Sequence, residues 1–187
     1  FLLGGTVSKD TGADMLIDAI RLLRANSNKW VDKLEFVITG KGDCIEQFEE
    51  LAEIKMHPYV KVSGRLTDTE YTKMVESCDV GMALKPNLGL LANTTFPSKV
   101  VELSSQGLLV LTTNISDVQL VMGDGAVYLN DDDPAMLIES LRWILENPQL
   151  AGDVAERGVL SIMSHCSMEM AGLKLSKYIF QSEDKHD

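Results

Sequence analysis

The chain has 187 residues, of which 45% are hydrophobic and 24% charged; this composition predicts one soluble globular domain and excludes a disordered chain. The formal net charge of −11 argues against a general nucleic-acid-binding protein, because such a protein needs a basic surface to neutralise phosphates. A small anionic ligand is still compatible with this charge, since a few backbone amides and one or two cations suffice locally.

The sequence shows neither a membrane-spanning apolar run nor a signal peptide. No apolar run approaches the roughly 20 residues that span a bilayer. The apolar start Phe1–Leu3 lacks a basic flank and runs directly into Gly4 and Gly5, which is unlike a signal peptide. We interpret the start as a cut into a longer chain at a core strand.

Cysteine, histidine and acidic residues do not show the spacing of a metal site. Cys44, Cys78 and Cys166 are widely spaced and odd in number, which favours a reduced, cytoplasmic setting. His165 and Cys166 are adjacent and would not share a helix face. The acidic run 131–133 is expected to be a solvated loop that ends in a helix cap. No metal and no cofactor are expected.

Two kinds of segment alternate along the chain. Short apolar, β-branched runs are typical of buried parallel strands, and they occur at 1–3, 34–39, 59–63, 79–84, 108–113 and 126–129. Segments of helical period lie between and after them, at 14–23, 45–54, 69–77, 97–105, 116–122, 134–146, 148–163 and 167–182. The alternation predicts an α/β, Rossmann-like fold, with a parallel sheet of about six strands, helices on both faces and two terminal helices.

Several helix starts carry capping signals. Thr67 and Glu70 have the spacing of a capping box. Asp133 and Asn147 each precede a proline, the favoured first residue of a helix. These signals predict helices that begin next to those positions.

The carboxyl edge of the sheet is where a ligand is expected, because open α/β sheets bind ligands at the ends of their strands. The loops at that edge are 4–12, 39–44, 63–67, 84–96 and 112–116. Three of them carry glycines, at Gly4-Gly5, Gly40-Lys41-Gly42 and Gly64-Arg65, where the backbone turns sharply or approaches a ligand closely. The sequence has no Gly-x-Gly-x-x-Gly, so a dinucleotide site has no direct support.

The segment 94–107 contains the most informative polar residues. A polar loop runs into a helix near Pro97, and the free amides of that first turn would favour a phosphate. Glu102 lies one turn further in, where a carboxylate can accept hydrogen bonds from two adjacent hydroxyls, as it does for a ribose in dinucleotide sites. An exposed helix glutamate is the other interpretation, and the spacing alone leaves both open.

Taken together, these segments resemble the C-terminal, donor-binding domain of GT-B-fold glycosyltransferases, especially glycosyltransferase family 4 (group 1). The matching pieces follow the family's order from residue 1 to about 150. They are a glycine-rich first loop, the Gly40-Lys41-Gly42 turn, the segment 64–70, Cys78-Asp79-Val80-Gly81, and Phe96-Pro97-Ser98-Lys99 with Glu102, which leads to Gly107-Leu108-Leu109-Val110.

The resemblance implies a function and a set of roles. It implies a nucleotide-diphosphate sugar (a UDP or GDP sugar) as partner, Glu102 as the ribose ligand, and amides near Pro97, Ser98 and Lys99 for the diphosphate. The remaining donor-binding candidates are Gly5, Gly40, Lys41, Gly64, Arg65, Leu66, Thr94 and Thr95. The catalytic residues stay unassigned.

Three positions depart from the family pattern. Thr94 stands eight residues before Glu102, where the family has an acid that contacts the transferred sugar. Thr6 and Thr11 stand where the first loop usually has an Arg and a Lys for the diphosphate, and Lys9 is out of register with both. Sugar choice and catalytic strength therefore remain open.

The resemblance implies hexose transfer to a glycan or lipid-linked acceptor in surface polysaccharide synthesis, by an enzyme whose N-terminal acceptor domain is absent here. The isolated domain is then expected to be inactive, and the full-length enzyme to associate peripherally with the inner face of the membrane. Two alternatives stay open: a non-catalytic nucleotide-binding module that acts with a partner chain, and another α/β domain such as an epimerase half or a flavodoxin-like domain.

Overall fold

The computed structural model describes residues 1–26, 28–87, 92, 94–170, 172–173 and 175–176. In these ranges the strands are β1 (Leu2–Thr6), β2 (Glu35–Lys41), β3 (Tyr59–Val62), β4 (Val80–Ala83), β5 (Leu109–Thr113) and β6 (Val127–Leu129). The α-helices are α1 (Ala13–Ala25), α2 (Ile45–Glu53), α3 (Asp68–Glu76), α4 (Ser98–Ser105), α5 (Val118–Met122), α6 (Pro134–Glu146) and α7 (Pro148–Cys166). Short 3-10 helices precede α1 and β2.

The strands form one parallel sheet in the order β3-β2-β1-β4-β5-β6. Alternate strand residues face opposite sides, so Leu2 and Val110 belong to one apolar cluster while Leu3 and Leu109 belong to the other. Residues of α1, α2 and α6 cover one face, and residues of α3, α4 and α5 cover the second, where α7 packs against α4. The predicted Rossmann-like α/β fold is confirmed.

All three predicted capping residues directly precede their helices, and two of them make capping hydrogen bonds through their side chains. The Thr67 amide donates to Glu70 Oε2 at 2.9 Å and the Glu70 amide donates to Thr67 Oγ1 at 3.4 Å. Asp133 Oδ1 accepts from the Ala135 amide at 2.8 Å, so the acidic run 131–133 does end in a helix cap. Asn147 is the N-cap residue of α7, directly before Pro148 as predicted, but its side chain makes no capping bond to that helix. Its side-chain amide instead donates to the Trp143 carbonyl at 2.9 Å, at the end of α6.

Several predicted boundaries shift for identifiable reasons. The Gly4-Gly5 and Gly40-Lys41 pairs, predicted as loop, lie inside β1 and β2, because the two strands pair in parallel as far as Thr6 with Lys41. The helix predicted at 116–122 begins at Val118, since Ser116 has a left-handed backbone (φ 51°). In the predicted helix 167–182, positions 168–170, 172–173 and 175–176 are helical, and the other positions after 170 lie outside the described residues.

Candidate functional site

The centre of the sheet contains a point where the strand order reverses. From β1 the order runs through β2 to β3, and from β4 it runs the opposite way through β5 to β6. The connections that leave β1 and β4 diverge to opposite faces and leave a crevice at the carboxyl edge. A cavity of about 330 Å³ opens there, between the ends of these two strands and the start of α4.

The start of α4 forms one wall of this cavity. Pro97 precedes the helix in an extended conformation (φ −73°, ψ 97°), and the helix begins at Ser98, one residue later than predicted. Thr95, Pro97, Ser98 and Lys99 all line the cavity. The amides of Ser98 and Lys99 belong to a first helical turn, which offers them no carbonyl partner of its own. Together with the helix dipole they favour an anion at this wall.

Lys99 is the centre of a small polar cluster beside the cavity. Its Nζ donates to Glu102 Oε1 at 2.8 Å and to the Tyr71 hydroxyl at 3.2 Å, and lies 5.0 Å from the centre of the Tyr71 ring. About one third of each side chain of the Lys99–Glu102 ion pair is exposed. The cluster joins α3 to α4 and holds Glu102 next to the cavity, although Glu102 does not line it.

The contacts in this cluster shift two pKa values. Burial tends to lower the pKa of Lys99, but the hydrogen bonds with Glu102 and Tyr71 outweigh it and the pKa is raised. The pKa of the Tyr71 hydroxyl is also raised, by burial first and then by Glu102. Both shifts keep Lys99 charged and Tyr71 neutral at physiological pH.

Gly4 and Gly5 have no side chains, and this leaves the space that Lys99 and Tyr71 occupy. Gly5 has φ 102°, and a Cβ there would lie 3.1 Å from Lys99 Cε. A Cβ on Gly4 would lie 3.2 Å from the Tyr71 hydroxyl. Gly5 therefore lets the Lys99 side chain cross the end of β1, and the close approach at this position is that of a lysine of the same chain.

The predicted residues from the other two glycine turns form a rim outside the cavity. The Gly40 amide donates to the Gly64 carbonyl at 2.6 Å, and the Thr39 hydroxyl donates to the same carbonyl at 2.7 Å. Lys41 and Arg65 are exposed, and Leu66 is half-buried. The structure thus brings Gly40, Lys41, Gly64, Arg65 and Leu66 together at the same edge of the sheet but not into the cavity itself.

The three threonines that depart from the family pattern lie on or next to the cavity. Thr6 and Thr11 line it, and the Thr11 hydroxyl is placed to donate to the Thr6 carbonyl at 2.7 Å or to the Ser8 carbonyl at 2.9 Å. Its oxygen also accepts from the Ser8 amide at 3.1 Å. Thr11 therefore stabilises the turn after β1. Thr94 is exposed and directly precedes Thr95, which lines the cavity.

Lys85 lines the cavity and was missed in the sequence analysis. It follows the end of β4, and its Nζ donates to Thr95 Oγ1. The available signal was its position: a cation directly after a buried strand, at the carboxyl edge that the parallel sheet predicts. Among the described residues that line the cavity, Lys85 and Lys99 carry positive charge and none carries a carboxylate. The cavity is therefore a basic region in a chain of net charge −11.

The described ranges hold neither a metal-binding cluster nor a membrane-spanning helix. They contain no group of three or more histidine, cysteine, aspartate or glutamate side chains that could hold a metal ion. They also contain no helix that is both long and apolar enough to cross a bilayer. Cys44, Cys78 and Cys166 are free thiols.

Comparison with known structures identifies the fold. The chain superimposes on the C-terminal domain of LpcC, a glycosyl transferase group 1 family protein from Francisella tularensis, with a TM-score of 0.70 and 11% identity over 90% of this chain and 87% of that one. The catalytic domain of cholesterol-α-glucosyltransferase from Helicobacter pylori gives 0.66 and 17% over 86% and 94%. HepE from Anabaena, solved with UDP and glucose, gives 0.73 and 15% over 97% of this chain but 48% of HepE.

At these identities the agreement is one of fold, and the chain spans about half the length of HepE. No curated protein matches the chain in sequence at a significant level. The profile of the family Glycosyl transferases group 1, however, matches residues 1–147, which is most of the chain. The chain therefore belongs to the glycosyl transferases group 1 family and has the fold of the C-terminal domains of its GT-B members.

Proposed function

We propose that this chain is the donor-binding half of a two-domain glycosyltransferase, which transfers a hexose from a UDP or GDP sugar to a glycan or lipid-linked acceptor in surface polysaccharide synthesis. The observation that carries the proposal is the basic cavity at the reversal point of the sheet, with the start of α4 as one wall and Glu102 beside it. The family membership and the UDP complexes of HepE, a protein of the same fold, support it. A cytoplasmic enzyme, peripherally attached to the inner face of the membrane, would suit such an acceptor.

Each part of the donor has a proposed partner. The diphosphate lies against the amides of Ser98 and Lys99, where helix dipole and cation act together. The ribose hydroxyls donate to Glu102, one helical turn away. The base lies along the rim at Gly64, Arg65 and Leu66. Stabilisation of the departing diphosphate by these preorganised dipoles and cations is the catalytic contribution that this half makes.

A second function has one specific observation in its favour. Thr6, Thr11 and Thr94 stand where the family has an Arg, a Lys and an acid, and the Thr11 side chain is engaged in its own turn. A domain without those charges would bind a nucleotide sugar yet contribute little to transfer. It would then act as a nucleotide-binding module of a partner chain. The family membership removes the epimerase and flavodoxin-like alternatives.

The first prediction is that the chain binds UDP or GDP weakly, because only one wall of an interdomain cleft is present. Isothermal calorimetry and NMR titration with UDP, GDP and ADP measure this binding, and the shifted amides should belong to segments 4–12, 39–44, 63–67 and 94–99. The absence of heat and of shifts for every nucleotide would contradict both functions proposed here.

The second prediction is that the chain alone transfers no sugar to an acceptor, because a GT-B active site lies between two domains and this chain provides one. Mass spectrometry of acceptor mixtures with UDP-glucose or GDP-mannose measures transfer. Slow hydrolysis of the donor is compatible with the proposal, since water can enter an open cleft. Transfer of sugar to an acceptor by the chain alone would show that this chain is not merely the donor-binding half of the active site.

A further inference from the structure

We propose that Lys85 is a second cation of the donor site and contacts the diphosphate of the bound nucleotide sugar. This inference rests on the donor-binding function proposed above and deepens it. Lys85 lies outside the segments that carry the family resemblance, and its anchoring, its hydrogen bond and the charges around the cavity support this role.

The backbone at Lys85 is held firmly at the end of β4. The Thr113 hydroxyl donates to the Lys85 carbonyl at 2.6 Å, and the Thr112 hydroxyl donates to the Ala83 carbonyl at 3.0 Å. Both donors lie at the end of the neighbouring strand β5. These bonds tie the backbone at Lys85, just beyond the end of β4, to the sheet, which makes it a more rigid support than an unanchored loop.

The Lys85 side chain lines the cavity and reaches another of its lining residues, Thr95. Its Nζ donates to the hydroxyl of Thr95, which lies shortly before the start of α4. An ammonium group has three donors, so this bond leaves two for a ligand. Thr95 places the ammonium near the helix start without neutralising it, because a hydroxyl carries no net charge.

The two lysines of the site differ in whether a neighbouring carboxylate compensates their charge. Lys99 is paired with the Glu102 carboxylate at 2.8 Å, whereas the hydrogen-bond partner of Lys85 is a neutral hydroxyl. No carboxylate is found among the described residues that line the cavity. Lys85 therefore supplies the uncompensated positive charge. A diphosphate carries at least two negative charges, and the turn after β1 presents the uncharged Thr6 and Thr11 to the cavity, so a second cation from β4 completes the site.

The test is the affinity of Lys85→Met for UDP and UMP, or for GDP and GMP if guanosine is the preferred base. Methionine keeps the length of the side chain and removes the charge. We expect about tenfold weaker binding of the diphosphate, the equivalent of one charge-assisted hydrogen bond, and a smaller loss for the monophosphate. Lys33→Met is the matched control, because Lys33 is exposed at the amino end of β2 and changes the net charge equally. Lys85→Arg should retain the affinity for the diphosphate.

The outcomes separate this inference from the function on which it rests. If the wild type binds UDP and Lys85→Met binds it as well as Lys33→Met does, the inference is wrong while donor binding stands. If the wild type binds no nucleotide, the donor-binding function fails and the inference fails with it. If Lys85→Met weakens UDP-glucuronate but not UDP, the lysine contacts a sugar carboxylate and the diphosphate role is overturned. Should Lys85→Met fail to fold, Thr95→Val decides: about threefold weaker UDP binding supports the inference, and unchanged binding overturns it.

Discussion

Glu102→Gln is expected to weaken the binding of UDP or GDP about tenfold to hundredfold, as NMR titration would measure it. A carboxylate that accepts from two ribose hydroxyls makes charge-assisted bonds worth roughly 1.5–3 kcal/mol each. The side chain is 35% exposed, and solvent draws the total toward the low end of that range. The fold should survive, because glutamine forms helices as well as glutamate does and the lost pair with Lys99 is partly exposed.

Two controls separate direct contact from indirect effects. Glu139→Gln on the exposed side of α6 makes the same charge change away from the cavity and should leave the affinity unchanged. A 2′-deoxy nucleotide should already bind poorly to the wild type, and Glu102→Gln should then matter less for it. Equal losses for ribo- and deoxyribonucleotides would rule out Glu102 as the ribose ligand.

The ion pair with Lys99 requires a further comparison. Glu102 orients Lys99, so its substitution could act through the lysine alone. In a Lys99→Met background, a direct ribose contact predicts that Glu102→Gln still weakens binding, whereas an effect through Lys99 predicts no further loss. A loss that disappears in this background would make Glu102 a positioning residue.

Gly40→Ala is expected to lower the free energy of unfolding by more than about 4 kcal/mol. A loss of this size is exceptional for a single substitution and indicates a severe steric conflict. Gly40 has φ 124°, and a Cβ there would lie 1.8 Å from the Gly5 carbonyl oxygen and 2.8 Å from its carbon. These are backbone atoms of the neighbouring strand, which cannot turn aside as a flexible side chain can. The substitution must push β1 and β2 apart where Gly5 pairs with Gly40.

Gly64→Ala is the matched comparison. Gly64 also has a left-handed backbone (φ 59°), but a Cβ there would meet nothing within 4 Å. Only the conformational cost remains, about 1–2 kcal/mol, partly offset by the reduced entropy of the unfolded chain. Urea unfolding followed by circular dichroism measures both variants. Equal losses would show that backbone contact at Gly40 is not the cause.

This pair of glycines illustrates what a sequence leaves open. Gly40 and Gly64 look alike in the sequence, each following a strand at the same edge of the sheet. Their difference depends on which strand lies next to β2, and that neighbour is more than 30 residues away in the chain. Gly12 shows the same effect, since its missing Cβ would lie 1.9 Å from the Leu84 carbonyl oxygen. A glycine in a turn signals a special backbone, and only the fold shows whether packing or a ligand requires it.

The residues of the candidate site also differ in whether a local sequence pattern predicts them. The spacing of Lys99 and Glu102 places them one helical turn apart, so a local pattern was enough to predict both. Tyr71 joins them from 28 residues away and Lys85 joins Thr95 from another element. Neither contact has a local signature, because each depends on how helices and strands are arranged around the sheet.

By itself the sequence determined the alternation of strands and helices, the parallel sheet, the positions of the three predicted caps and the edge of the sheet that holds the candidate site. These follow from hydrophobic period, capping residues and chain direction, which act over a few residues. The tertiary structure alone decided the strand order, and with it the crevice between β1 and β4 and the hydrogen bond from Lys85 to Thr95 before α4. The physical reason is that these features depend on pairings between distant segments, where burial and backbone hydrogen bonding across the whole sheet select one arrangement among several that the local patterns allow.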